Sequence, residues 1–64
     1  MTSAALTQTL AERNLAVGTW TNQKGEVHIS LTRMGRYNKN IAIPLEMVPV
    51  VIEALEAKTR EVLT

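Results

Sequence analysis

The chain of 64 residues contains no cysteine, aspartate or phenylalanine, and only one histidine, one tryptophan and one tyrosine. No disulfide can form without cysteine, and one imidazole without aspartate makes a poor metal site, so we expect neither a metal nor a cofactor. A domain of this length buries only about 60% of the surface that its unfolded chain exposes. Self-association is the remaining way to enlarge so thin a core, and we expect a homodimer.

Groups suited to catalysis are also scarce. An enzyme brings a nucleophile, an acid or base and an electrophilic group together in one pocket. The glutamates fall mainly on the expected exposed face of a helix, and the three glycines are isolated, so no phosphate-binding glycine loop can form. We therefore expect a protein that is not an enzyme.

Long apolar runs are absent as well. No stretch of 18 or more apolar residues occurs, and the N-terminus lacks a cationic segment followed by an apolar one. These absences predict no membrane span and no secretory signal, and the expected location is cytoplasmic, without a membrane partner.

The apolar periodicity predicts a single α+β domain. Residues 1–14 have leucines four apart, with Ser3 as a candidate N-cap and Asn14 as a left-handed residue after a short helix. Residues 15–44 alternate as three antiparallel strands. The pattern does not decide whether a fourth strand precedes them. Residues 45–64 form a long helix that covers one sheet face, with Pro49 in its first turn. The apolar stripe of this helix is wider than three strands need, which again favours a partner subunit.

Positive charge is concentrated in the middle of the chain. The net charge is +1, but residues 24–44 carry Lys24, Arg33, Arg36 and Lys39 against one glutamate. Three of these cations and Tyr37 lie in RMGRYNKN, between two strand-like segments. Such a positive zone could attract a polyanion, or it could be a solvated hairpin loop.

The predicted strands have one aliphatic face and one polar face. In EVHISLTR the residues opposite the aliphatic side chains are His28, Ser30 and Thr32. If the preceding strand pairs through the turn NQKG, Trp20 falls on the same polar face and could stack on a base. Alternatively, Trp20 is covered by the N-terminal helix or by a dimer mate, and His28 is an ordinary hydrogen-bonded strand residue.

The segments WTNQKGEVHISLTRMGR and NIAIPLEMVPVVIEALEAKTREV resemble one repeat of the Pur-alpha family of single-stranded nucleic-acid-binding proteins, within a wider group that includes positive-cofactor and Whirly proteins. The likeness covers about residues 15–63. It implies a curved antiparallel sheet of four strands backed by a helix, two repeats intertwined as a homodimer, and nucleic acid on the open sheet face. It also implies contacts from Asn22, Gln23 and Lys24. Here a predicted helix replaces the first strand.

We therefore predict a homodimeric module that binds single-stranded DNA or RNA with little sequence specificity. The alternative is a dimeric structural or protein-interaction module without a nucleic-acid ligand. Besides the three turn residues, the strand faces and the basic segment predict further contacts from Trp20, His28, Ser30, Thr32, Arg33, Arg36, Tyr37 and Lys39.

Overall fold

A computed structural model describes residues 2–64 and has the predicted α+β architecture. Met1, the first residue of the predicted N-terminal segment, lies outside the described residues. The order of elements is α1 (Ser3–Ala11), β1 (Leu15–Thr21), β2 (Val27–Arg33), β3 (Lys39–Pro44), a 3-10 turn (Leu45–Met47) and α2 (Val48–Leu63). Within residues 2–64 the sheet has three strands, and a helix stands where a fourth could have been.

Both ends of α1 are fixed by local chemistry. The Oγ1 of Thr2 accepts a hydrogen bond from the Ala5 backbone N–H at 3.1 Å, so Thr2 is the N-cap and the expectation of Ser3 was wrong by one residue. Both residues carry a hydroxyl, and the sequence alone did not show which would cap. Asn14 has φ 61°, the left-handed conformation that was predicted for it, and turns the chain into β1.

The three strands form an antiparallel meander in the order β1-β2-β3. Residues directly opposite each other in such a ladder lie on the same face. The register therefore defines an apolar face and a polar face. The apolar face carries Leu15, Val17, Thr19, Val27, Ile29, Leu31, Ile41 and Ile43, and the polar face carries Ala16, Gly18, Trp20, His28, Ser30, Thr32, Asn40 and Ala42.

The long helix does not cover the sheet of its own chain. We expected α2 to pack on one sheet face, but it makes at most marginal contact with the strands. The molecule measures 43 × 27 × 27 Å, and its radius of gyration of 13.5 Å exceeds the roughly 11 Å of a compact chain of this length. After Pro44 the chain turns through residues 45–47 and carries α2 away from the sheet.

This geometry leaves the apolar surfaces open to solvent. None of the hydrophobic side chains of residues 2–64 is buried, and on the apolar face Val17 and Ile41 are 56% and 60% exposed. On α2, Leu55 and Val62 are also exposed. A single copy therefore lacks a closed hydrophobic core.

Pro49 lies in the first turn of α2, as predicted. A proline is tolerated there because its missing N–H would have had no partner within the helix. No helix in residues 2–64 combines the length and the apolar character that crossing a membrane requires.

Candidate nucleic-acid interface

Trp20 lies at one end of the polar face and is partly open to solvent. It is paired with His28 across β1 and β2, and the two rings meet edge to face with centroids 5.1 Å apart and planes inclined by 61°. The Trp20 side chain is 51% exposed, so α1 does not seal it. The imidazole of His28 therefore lies against the indole, and about half of the surface of Trp20 stays exposed.

Two hollows share Trp20 in their lining. One, of about 390 Å³, is lined by Trp20 together with Asn22, Gln23, Lys24 and Glu26 of the β1–β2 turn (residues 22–26). The other, of about 270 Å³, is lined by Trp20, Asn40 and Ala42. Trp20 is thus the residue that the two hollows have in common.

Sequence reasoning missed three of these lining residues. Asn40 and Ala42 alternate with Ile41 and Ile43 on β3, and that alternation could have assigned them to the polar face. Glu26 is two residues before His28, so the same alternation could have assigned it to the polar face near Trp20.

The β1–β2 turn is held by the Asn22 side chain. Its Oδ1 accepts hydrogen bonds from the backbone N–H groups of Lys24 and Glu26, both at 2.9 Å, and its Nδ2 donates to Glu26 Oε1 at 2.8 Å. Gly25 has φ +82°, a conformation that favours glycine. Because its polar atoms are occupied within the turn, Asn22 positions Gln23 and Lys24 and has little capacity left for a ligand.

The charges beside Trp20 nearly cancel. Lys24 brings one positive charge to the hollow, and Glu26 brings one negative charge to the same hollow. Glu26 also fixes neighbouring groups, because its backbone C=O lies 3.2 Å from His28 Nδ1. Attraction of a polyanion to this end of the sheet therefore depends on Lys24 acting against a nearby carboxylate.

Small side chains line the middle of the polar face. Ser30 and Thr32 are half-buried on the central strand, and Gly18 lies opposite Ser30. A Cβ added at Gly18 would lie 3.3 Å from the Ser30 Oγ, a tight approach that the glycine avoids. The row that Gly18, Ser30 and Ala42 form across the three strands therefore carries only small side chains.

The other predicted residues gather around the β2–β3 loop (residues 34–38). A hollow of about 410 Å³ is lined there by Asn14, Met34, Gly35 and the four predicted residues Arg33, Arg36, Tyr37 and Lys39. The Arg36 guanidinium lies over the Tyr37 ring, 5.6 Å from its centroid. Within residues 2–64 the one ion pair joins Lys58 to Glu61, so these loop cations have no carboxylate partner.

The predicted site residues are therefore divided between two places. Arg33 lies five residues beyond His28 on β2, about 17 Å along an extended strand. Arg33 and Lys39 face each other in the register and share the apolar face. The structure brings Trp20, Asn22, Gln23, Lys24 and His28 together at one end of the polar face. Ser30 and Thr32 follow along the same face, and the loop cations lie at the far end of the sheet.

No cluster of three or more potential metal ligands occurs within residues 2–64.

The chain has no significant match to a protein-family model, a curated protein or a solved structure. The resemblance to a Pur-alpha repeat stays a prediction.

Proposed function

We propose that a homodimer of this protein binds single-stranded DNA or RNA on the polar face of the sheet, without catalysis. One base stacks on Trp20 and the backbone phosphates contact Lys24. The observation that supports this proposal is the half-exposed indole on the polar face, which lines two hollows. An aromatic ring in that setting can stack on any base, which gives affinity with little sequence specificity.

A single strand fits this surface better than a duplex does. The faces of paired bases are hidden in the stack of a double helix, whereas a single strand can turn a base onto the indole. Gln23, His28, Ser30 and Thr32 offer hydrogen-bonding groups around the ring without a shape that reads one sequence. Arg36 and Tyr37, in the loop, would form the far end of the same binding path.

The homodimer supplies the core that a single copy lacks. The apolar face and the apolar stripe of α2 are both exposed in one chain. Burying apolar area contributes about 25 cal/mol per Å², so mutual coverage of the apolar face and the α2 stripe by two intertwined copies stabilises both. The polar faces stay outside and remain accessible.

A second candidate is a dimeric protein-interaction module. The near cancellation of charge between Lys24 and Glu26 favours this alternative, because a polyanion gains little attraction there. A half-exposed tryptophan beside polar groups is also common in protein interfaces. In this case the polar face docks on a protein surface and the loop cations keep the molecule soluble.

The intrinsic fluorescence of Trp20 separates the two candidates, because it is the only tryptophan. Oligo-dT is titrated into the protein at about 50 mM and about 200 mM salt, a range over which phosphate contacts weaken. Saturable quenching that weakens at the higher salt is expected for nucleic-acid binding. The same oligonucleotide in duplex form is the control and should quench far less. No response to the single strand at either salt concentration would favour the protein-interaction module.

A further inference from the structure

The apolar face ends in two cations. Arg33 and Lys39 are opposite each other in the register, and together with Leu15, Leu31 and Ile41 they line a groove of about 250 Å³. The floor of this groove is aliphatic, and no carboxylate of residues 2–64 neutralises its cationic rim. Such a groove fits an apolar helix that carries an acidic side chain at the border of its apolar stripe.

The helix α2 has this pattern. At about 100° per residue, the side chains of its apolar stripe span an arc of about 120°. The arc contains Val48, Val51, Ile52, Leu55, Thr59, Val62 and Leu63. Glu56 lies about 20° beyond one border of the arc, and Lys58 about 20° beyond the other. Lys58 is paired with Glu61 at 3.2 Å, whereas Glu56 has no ion-pair partner within the described chain.

The apolar stripe of α2 is not used within its own chain. There α2 makes at most marginal contact with the strands, so its stripe is available to another sheet. The occupant that the charges favour is α2 from a second copy.

We infer that α2 of a second copy lies in this groove, with its Glu56 paired to Arg33 and Lys39. This inference rests on the proposed homodimer and specifies its interface. In a twofold dimer the contact occurs twice, because each copy contributes one helix and one groove. Arg33 and Lys39 thereby stabilise the dimer.

A consequence follows for the binding of nucleic acid. If Arg33 and Lys39 pair with Glu56, they are not available to phosphates, and Lys24 and Arg36 are left to supply the salt dependence. For a single strand, the slope of log affinity against log salt changes by about 0.7 for each phosphate contact. Lys24→Gln should therefore lower the slope by about 0.7, and Lys39→Gln should leave it unchanged.

Charge reversal tests the pairing. The dimer dissociation constants of the full chain, of Glu56→Lys, of Arg33→Glu/Lys39→Glu and of the triple variant are measured by sedimentation equilibrium. The expected result is at least about tenfold weaker association for each reversal alone, because both then place like charges together, and recovery in the triple variant. Glu53→Lys and Arg36→Glu are the matched controls, since Glu53 lies on the outer side of α2 and Arg36 lies in the loop, and they should change association little.

The outcomes separate this inference from the proposed function. A wild-type dimer that the reversals do not weaken, or that the triple variant does not restore, overturns the pairing while the dimer stands. A wild-type chain that is monomeric overturns the pairing and the dimer together, and the fluorescence titration still reports independently on nucleic-acid binding. Circular dichroism of each variant checks its fold, and if the double reversal unfolds, Glu56→Lys and the slope for Lys39→Gln still decide the question.

Discussion

The two connections of the sheet have similar residues and different physical properties. The β1–β2 turn contains Asn22, Lys24 and Gly25, and the β2–β3 loop contains an asparagine and a glycine, with Lys39 at its end. In the turn, the Asn22 side chain makes three hydrogen bonds and Gly25 takes a left-handed conformation. In the loop, Asn38 makes one side-chain hydrogen bond: its Oδ1 accepts from the Gly35 backbone N–H at 3.2 Å.

The difference shows that composition does not decide which connection can form a stacking platform. The turn holds its backbone in one conformation beside a half-exposed indole, with its positive charge offset by Glu26. The loop brings three cations together without a carboxylate partner, and its Tyr37 is 74% exposed. A rigid aromatic surface favours stacking on a base, whereas an uncompensated cationic cluster favours a carboxylate or a phosphate.

The largest expected effect distinguishes the two aromatic residues. Trp20→Ala should weaken binding of oligo-dT by roughly 1 to 3 kcal/mol, because one base loses its stacking partner. Tyr37→Ala should weaken it less, since that ring lies in the loop beneath Arg36. Anisotropy of a labelled oligonucleotide measures both affinities, and thermal unfolding checks that the variants fold. Equal losses of affinity in the two variants would show that Trp20 and Tyr37 contribute equally to binding.

An intermediate effect is expected for the two glycines. Gly25→Ala should lower the free energy of unfolding by roughly 1 to 2 kcal/mol, because an alanine is strained at φ +82°. Gly35→Ala is the matched control: its φ is not positive, and a Cβ there meets nothing within 4 Å. Its effect should be small, within about 0.5 kcal/mol.

Urea unfolding at one fixed protein concentration gives both free energies, because the stability of a dimer depends on concentration. If Gly25→Ala were as well tolerated as Gly35→Ala, the turn would not be the more constrained connection.

The smallest effect concerns the carboxylate beside Trp20. Glu26→Gln should strengthen binding of oligo-dT by on the order of 0.5 kcal/mol, because it removes a negative charge near the phosphates and keeps an oxygen that can accept from Asn22. The gain should diminish at higher salt. Glu53→Gln, on α2, is the control and should leave the affinity unchanged. Weaker binding by Glu26→Gln would indicate that this carboxylate contacts the ligand directly.

Much of the local structure could be predicted because it depends on local rules. Alternation of side chains assigned Leu31 to one face and Thr32 to the other, and Asn14 and Pro49 took the conformations that their chemistry favours. The same alternation, continued to Arg33 and backward from Ile41 to Lys39, would have placed both cations on the apolar face. That information was in the sequence, and sequence reasoning did not use it.

The sequence by itself determined the order of the elements, the two faces of the sheet and the placement of Trp20 on the same face as His28. Each follows from the two-residue period of an extended chain and from hydrogen bonds between near neighbours. Only the tertiary structure decided that α2 leaves its own sheet uncovered. That feature depends on the direction in which the chain leaves Pro44 and on contacts between distant residues, which no local pattern specifies.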